Sequence, residues 1–387
     1  MPGYNAAPIR YAARPKMTKK RVLLLYGGRS AEHEISLLSA RFVMQALDPE
    51  RFEPVLVGID KLGRWQLESR QALLDIGTDA RAVGLSQRAP QVSLPARPAA
   101  QDAVALSVDD GGSLGVDVAF PVLHGPMGED GTVQGLLELA GLPYVGAGVL
   151  GSALGMDKDV MKRVLAQAGL PILPYVTLRQ RSFARDRAAS LEQAAQLGFP
   201  SFVKPANLGS SVGVSRVLEP SALGAAIDRA FELDGKVVVE QGLDRPREIE
   251  LAVLGGERPL VSLPGEIVVD HPDGFYSYAA KYLDESGATT TRVPASLDAA
   301  GAARAQELAQ RTFEALECEG MARVDLFLDR DGKLWVNEIN TIPGFTPVSM
   351  YPKLMEASGV PARELVSRLI DDAMTRGQAK RARKTSL

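Results

Sequence analysis

The sequence predicts an α/β protein of two or three domains, with α+β character in its C-terminal part. Three stretches predict it. RVLLLYGGRS (21–30) is a buried strand that runs through a glycine turn into a helix with apolar spacing, AEHEISLLSARFVMQAL (31–47). VDVAFPVL (116–123) repeats the pattern, with a glycine-rich loop at 124–131 and a helix from about Thr132 to Gly141. MARVDLFLDRDGKLWVNEINTIPG (321–344) reads as two strands joined at Asp331-Gly332, a strong hairpin signal. The 387 residues leave ample room for a core.

The first unit carries only Gly27-Gly28, short of a dinucleotide fingerprint, so an NAD-dependent oxidoreductase is disfavoured. Ser30 can cap the helix, and Glu32 falls in its first turn, at the strand end where ligands gather in open α/β sheets. FEPVLVGID (52–60) is the next strand. Residues 61–115 are weakly patterned and read as an insertion with short strands. His124 stands in the second glycine loop, as a ligand-facing or a loop-packing residue. At 152–175 a helix presents Met161, Val164, Leu165 and Ala168 on one face and stops at Gly169 and Pro171. Lys158 lies off that stripe and by itself reads as solvated.

FPSFVKPANLGSSVGVSRV (199–217) delivers Lys204 on a strand into a loop of small residues, Gly209 to Gly213. Free backbone N–H groups beside a lysine suit phosphates. It is not a Walker loop, since the lysine precedes the glycines, and a plain Gly-Ser hairpin is the bland alternative. KVVVEQGLDRPREIELAVL (236–254) gives two strands, with Glu240 ending one and Glu248 opening the other. The polar stretch 265–293, which includes Lys281 and Tyr282, reads as a lid or binding loop. A helix fills 297–320. In the hairpin, alternation puts Arg323 and Asp325 on one face, and Glu338 and Asn340 on one face of the second strand, with Val324, Leu326, Trp335 and Ile339 towards a core. Carboxylate and amide oxygens suit a hard cation such as Mg²⁺, although an ion-paired, solvated face has the same composition. A Pro/Gly-punctuated loop (341–359) and a closing helix from about Pro361 follow.

Composition narrows the class. A net charge of −3 argues against a general nucleic-acid binder. The one cysteine, Cys318, fits a reducing compartment, and three scattered histidines cannot form a histidine zinc cage. No run approaches the ~20 apolar residues of a membrane span. Residues 1–16 read as a disordered extension, or as a start placed before Met17, and the stretch from Arg376 reads as a frayed basic tail. Together the pieces point to nucleotide-dependent phosphoryl chemistry on a small second substrate.

The pattern resembles the ATP-grasp superfamily, and closely the D-alanine–D-alanine ligases. GGRSAEHEISLLSA (27–40), HGPMGEDGTVQGLLELAGLPYVG (124–146), MDK (156–158), VKPANLGSSVGVS (203–215), AKYL (280–283), ARVDLF (322–327) and NEINTIPGFTPVSMYP (337–352) carry the resemblance, in order. It implies a three-domain ATP-grasp architecture with an open α/β, biotin carboxylase N-terminal-like first domain. The implied divisions are an extension at 1–16, an N-terminal domain at 17–149, a central subdomain at 150–236, a C-terminal subdomain at 237–375 and a tail at 376–387. The implied reaction joins two D-alanine molecules through D-alanyl phosphate, consuming ATP, for peptidoglycan precursors in the cytoplasm, by a homodimer.

By motif, Asp325, Glu338 and Asn340 would bind two Mg²⁺ or Mn²⁺ ions. Lys158, Lys204, Ser210, Ser211 and Lys281 would meet the phosphates, and Glu240 and Glu248 the adenine and ribose. Glu32, positioned by Ser210, would hold the first D-alanine's ammonium, with His124 beside it. Arg323 and the backbone of Gly344 would form the oxyanion hole, and Ser349 and Met350 would hold the second carboxylate. Tyr282 resembles the lid tyrosine of dipeptide-forming members, which disfavours a D-alanine–D-lactate ligase. Another ATP-grasp carboxylate–amine ligase is disfavoured by the surroundings of Glu32 and Ser349. Ile342 stands where a small residue is common in the family.

Overall fold

The computed structural model describes residues 19–76, 84–86, 89–96, 104–269 and 289–383. His271, Lys281, Tyr282 and the 1–16 extension lie outside the described residues. The first sheet has the order β3-β2-β1-β7, built from β1 (Lys20–Gly27), β2 (Phe52–Ile59), β3 (Trp65–Glu68) and β7 (Val118–Val122). β1 runs parallel to β2 and β7, and its residues Val22 to Tyr26 are buried. That is why it reads as an unbroken apolar run rather than an alternating one. Helix His33–Ala46 connects β1 to β2. The 61–115 region contributes β3 and a small antiparallel sheet of β4 (Val92–Ser93), β5 (Val104–Val108) and β6 (Ser113–Val116).

The next sheet is antiparallel, in the order β10-β9-β11-β8, from β8 (Tyr175–Arg179), β9 (Ser201–Pro205), β10 (Ser215–Val217) and β11 (Lys236–Gln241). The expected division at 236/237 therefore falls at the first residue of β11. The last sheet has β15-β14-β12-β16-β17 along its path, with β13 paired to β12. Its strands are β12 (Arg247–Leu254), β13 (Leu260–Val261), β14 (Gly265–Val269), β15 (Thr289–Arg292), β16 (Met321–Leu328) and β17 (Leu334–Asn340). Helix Ala299–Ala315 covers one face, packing Leu308 and Phe313 against Val324, Leu326 and Val336.

The first and last sheets are tied through one core. Leu24, Tyr26 and Phe120 cluster with Phe345, Tyr351, Leu365 and Leu369. Phe345 meets Phe120 edge-on at 6.0 Å and Tyr351 at 5.3 Å between ring centroids. This seam fixes the chain leaving β17 against the loops at the carboxyl ends of β1 and β7.

Three expectations are corrected here. The stretch 341–359 is not all loop, since Met350–Ala357 is helical; Pro352 is tolerated because it lies in the first turn. The chain is not frayed from Arg376, because the last helix runs Ala362–Arg381. Arg376 is held by Asp372 at 2.7 Å, by Glu319 at 3.1 Å and by the carbonyls of Tyr144 and Gly146. Ser30 does not cap its helix. It accepts from the Glu32 N–H at 3.2 Å and donates to the His124 carbonyl at 2.7 Å, joining the loops that follow β1 and β7.

Candidate active site

The hairpin builds the floor. Arg323 pairs with Asn340 and Asp325 with Glu338 across β16 and β17, so all four side chains share one face, as alternation predicts. The register then skips Asn337, because Leu326 pairs with Val336. This bulge reverses the parity of β17 beyond it. Val336 takes the core position, and Trp335, expected in the core, is half-buried and donates from Nε1 to Asp329 at 2.8 Å. The bulge also adds Asn337 to the polar face.

Arg323 donates from Nε and Nη2 to the two Asp325 oxygens at 2.7 and 2.6 Å, and its Nε lies 3.1 Å from Glu250. Burial works against its charge, but Asp325 and Glu250 hold the guanidinium pKa well above its ordinary value. Asn340 donates to Asp325 at 3.0 Å. Among the described residues, no group of three or more His, Cys, Asp or Glu side chains is disposed to hold a metal ion. Asp325, Glu338 and Asn340 nevertheless bring three hard oxygen donors to one face, a chemistry suited to Mg²⁺ or Mn²⁺.

Two adjoining cavities meet at this floor. The first, about 550 Å³, is bordered by Lys158, Lys204, Ser211, Glu240, Glu248, Asp325 and Glu338. Lys158 is not solvated. It is buried at the start of helix Lys158–Gln167, donates to the Leu208 carbonyl at 2.7 Å and lies 3.7 Å from Glu338. Lys204 donates to Glu240 and, at 3.3 Å, to Asn337. The other Glu240 oxygen accepts from Lys162, a fully buried residue that the sequence reading passed over. Burial alone would raise the Glu240 pKa, but the two lysines bring it down to about 2. Both Glu240 oxygens are engaged by lysines, and the residue borders the cavity.

The second cavity, about 510 Å³, is bordered by Glu32, His124, Ser210, Arg323, Gly344, Ser349 and Met350. Glu250, Ile267 and Glu338 border both cavities. Glu32, at the N-cap position of its helix, accepts from the Ser210 hydroxyl. A Cβ at Gly125 or Gly209 would stand 2.8 or 3.0 Å from Glu32 Oε2, so a side chain at either position would displace that carboxylate. Likewise, a Cβ at Gly344 would stand 2.9 Å from Ser349 Oγ. Ser349 precedes the helix Met350–Ala357, and its Oγ accepts from the Thr346 N–H at 3.0 Å.

His124 borders the cavity, yet both ring nitrogens are engaged. Nδ1 donates to the Ile342 carbonyl at 2.9 Å, and Nε2 lies 3.0 Å from Ser39 Oγ. Burial lowers its pKa despite the Glu32 charge, so the neutral ring accepts from Ser39. Both ring nitrogens of His124 thus brace the loop, while the residue still borders the cavity. Glu129 was also passed over. Its oxygens accept from the Gly125 N–H at 2.6 Å and the Ile342 N–H at 3.1 Å. Burial, with the nearby Glu32 charge, pushes its carboxyl up to about 8. A signal existed for Glu250, which shares a strand face with Glu248, and for Lys162, one helical turn beyond Lys158.

The sheets, the lysine–glycine loop and the oxygen-bearing hairpin define an enzyme of the ATP-grasp fold. The D-Ala D-Ala ligase N-terminus family model matches residues 21–147, and the C-terminus model residues 164–371. D-alanine–D-alanine ligase A of Bradyrhizobium diazoefficiens is 52% identical over 362 residues, covering 92% of this chain and 96% of that protein. The Escherichia coli K12 relative of the same name is 46% identical over 372 residues, covering 96% and 100%. Among solved structures, the D-alanine–D-alanine ligase of Coxiella burnetii matches with a TM-score of 0.80 at 36% identity, covering 94% of this chain and 96% of that one. The VanG D-Ala:D-Ser ligase of Enterococcus faecalis matches with a TM-score of 0.79 at 35% identity, covering 92% and 100%. The chain belongs to the D-alanine–D-alanine ligase family.

Proposed function

We propose that the chain joins two D-alanine molecules into D-alanyl-D-alanine, with ATP converted to ADP and phosphate. The observation that carries this is the pair of cavities that meet at Glu338 and Glu250. One offers lysines for phosphates; the other offers a carboxylate, an arginine and a helix N-terminus for amino acids. Nucleotide and amino acids would meet at the shared border.

In this reading Lys158, Lys204 and the Ser210-Ser211 turn hold the phosphates, and Glu248 the ribose. Glu240 acts by setting Lys204. Glu32, fixed by Ser210, holds the ammonium of the first D-alanine, whose carboxylate attacks the γ-phosphate. The amine of the second D-alanine then attacks the acyl phosphate. Arg323 and the Gly344 N–H receive the negative charge of the tetrahedral intermediate, which collapses with loss of phosphate. Ser349 and the first N–H groups of helix Met350–Ala357 hold the second carboxylate. Lys281 and Tyr282, outside the described residues, keep lid roles by family analogy. Asp325, Glu338 and Asn340 would hold two Mg²⁺ or Mn²⁺ ions, which when bound would offset phosphate charge.

We also propose dividing the central and C-terminal parts after Gln241, which keeps β11 with its sheet. A homodimer is supported by the exposed apolar Leu139, Val149 and Leu150. Among the described residues no helix is long and apolar enough to cross a membrane; the cytoplasmic site and the role in peptidoglycan precursor synthesis follow the family. The test is phosphate release from ATP and Mg²⁺ with D-alanine, L-alanine, D-alanine plus D-lactate, or D-alanine plus D-serine, with products identified by mass. D-alanyl-D-alanine formed from D-alanine alone is the expected result. No D-alanine-dependent release would overturn the substrate assignment, and a preferred mixed product would favour the depsipeptide-forming or D-serine-using relatives.

A further inference from the structure

We infer that Lys162 is a positioning residue for nucleotide binding, acting through Glu240 on Lys204. Its side chain is 1% exposed and does not border the nucleotide-sized cavity, whereas Glu240 and Lys204 do. Lys162 donates to one Glu240 oxygen and Lys204 to the other, and Lys204 reaches on to Asn337 in the β17 bulge at 3.3 Å. A chain of polar contacts therefore runs from the buried side of helix Lys158–Gln167, across β11 and β9, to the cavity.

The inference rests on the reading of Lys204 as a phosphate ligand. A phosphate must then draw Lys204 away from Glu240. A buried carboxylate that loses its partner pays a large desolvation penalty. Lys162 removes that penalty, because it remains on Glu240 when Lys204 turns. Without Lys162, Glu240 would keep Lys204 as its counter-charge and compete with the nucleotide. Lys162 also lies under the Tyr175 ring, 5.7 Å from its centroid, which further fixes its ammonium.

The full chain with Lys162→Met is expected to bind ATP about ten- to hundredfold more weakly, as follows when a buried charge loses one of two partners. Its KM for D-alanine should stay within about threefold of wild type, so the loss falls on the nucleotide alone. In a Glu240→Gln background, where no buried carboxylate remains to be matched, adding Lys162→Met should change ATP affinity by less than about threefold. A merely structural role for Lys162 would weaken ATP binding in both backgrounds. ATP titration calorimetry and melting curves on these variants are the measurements. A folded Lys162→Met protein with wild-type ATP affinity overturns the inference. So does a further loss of about tenfold or more when Lys162→Met is added to Glu240→Gln, which applies even if the single Lys162 variant does not fold. Wild-type ATP affinity in Lys204→Met would instead sink the phosphate reading of Lys204 on which the inference stands.

Discussion

Removing the Ser210 hydroxyl should weaken the reaction at the first D-alanine. Ser210 donates to Glu32 from a loop 178 residues away in sequence, and it does so from a left-handed backbone with φ 48°. The acceptor is a carboxylate buried to 8% exposure, so the bond is charge-assisted. Such bonds contribute about 1.5–3 kcal/mol, and each 1.4 kcal/mol is about tenfold in an equilibrium constant. Ser210→Ala is therefore expected to lower kcat/KM for D-alanine by about ten- to hundredfold. Ser210→Gly separates the hydroxyl from the backbone. Both variants lose the bond, and only glycine relieves the positive φ. If the hydroxyl carries the effect, the two should agree within about threefold. Steady-state phosphate release at saturating ATP measures this. A Ser210→Ala enzyme within about twofold of wild type would refute the reasoning.

Glu338→Gln should abolish turnover and leave the fold, because glutamine keeps the side chain's shape and Lys158 keeps its bond to the Leu208 carbonyl at 2.7 Å; ATP-dependent phosphate release retained by this variant would sink the metal assignment. Gly128→Ala should destabilise by about 2 kcal/mol or more in urea unfolding, since its Cβ would lie 2.3 Å from the Leu123 carbonyl oxygen. A shift under about 0.5 kcal/mol would contradict that packing. The Glu129 carboxyl, raised from 4.5 to about 8 by burial and by Glu32, contributes stability that is full below the ordinary carboxylate value and is lost as pH rises towards 8. The melting temperature should fall across that window, and Glu129→Gln should flatten the fall; an unchanged slope would count against it. Tyr282→Phe is expected to loosen discrimination between amine and hydroxy-acid second substrates, and an unchanged product ratio with D-lactate would remove Tyr282 from that role.

The hairpin floor was legible because strand alternation places residues without any knowledge of distant neighbours. Arg323, Asp325, Glu338 and Asn340 share a face for that reason alone. The bulge was not legible. An extra residue in β17 leaves no compositional mark, yet it moved Trp335 off the core and brought Asn337 to Lys204. His124 could be read two ways because its partners, Ser39 and Ile342, lie 85 and 218 residues away. Glu129 was hidden by its type, and so was Lys162 despite standing one helical turn beyond Lys158. A lysine beside an apolar stripe and a glutamate in a glycine loop both read as solvated until tertiary packing closes over them. β11 likewise looked like the start of the C-terminal part, since only pairing with β8 and β9 assigns it to the earlier sheet.

The charges at the two cavities share one arrangement. Arg323 is held by Asp325 and Glu250, Lys204 by Glu240, and Glu32 by Ser210. A buried charge without a partner would cost several kcal/mol, so a site this ionic stays folded before its ligands arrive only if each charge is already matched. Ligand entry is then an exchange of partners rather than a fresh burial of charge. Such an exchange is favourable only for a ligand that satisfies every group it releases. A nucleotide that draws Lys204 from Glu240 leaves Lys162 behind to match the carboxylate. A substrate that draws Arg323 must leave Glu250 and Asp325 matched, and the cations proposed at Asp325 would do so for Asp325. In this arrangement, selectivity comes from the cost of leaving a buried group unmatched.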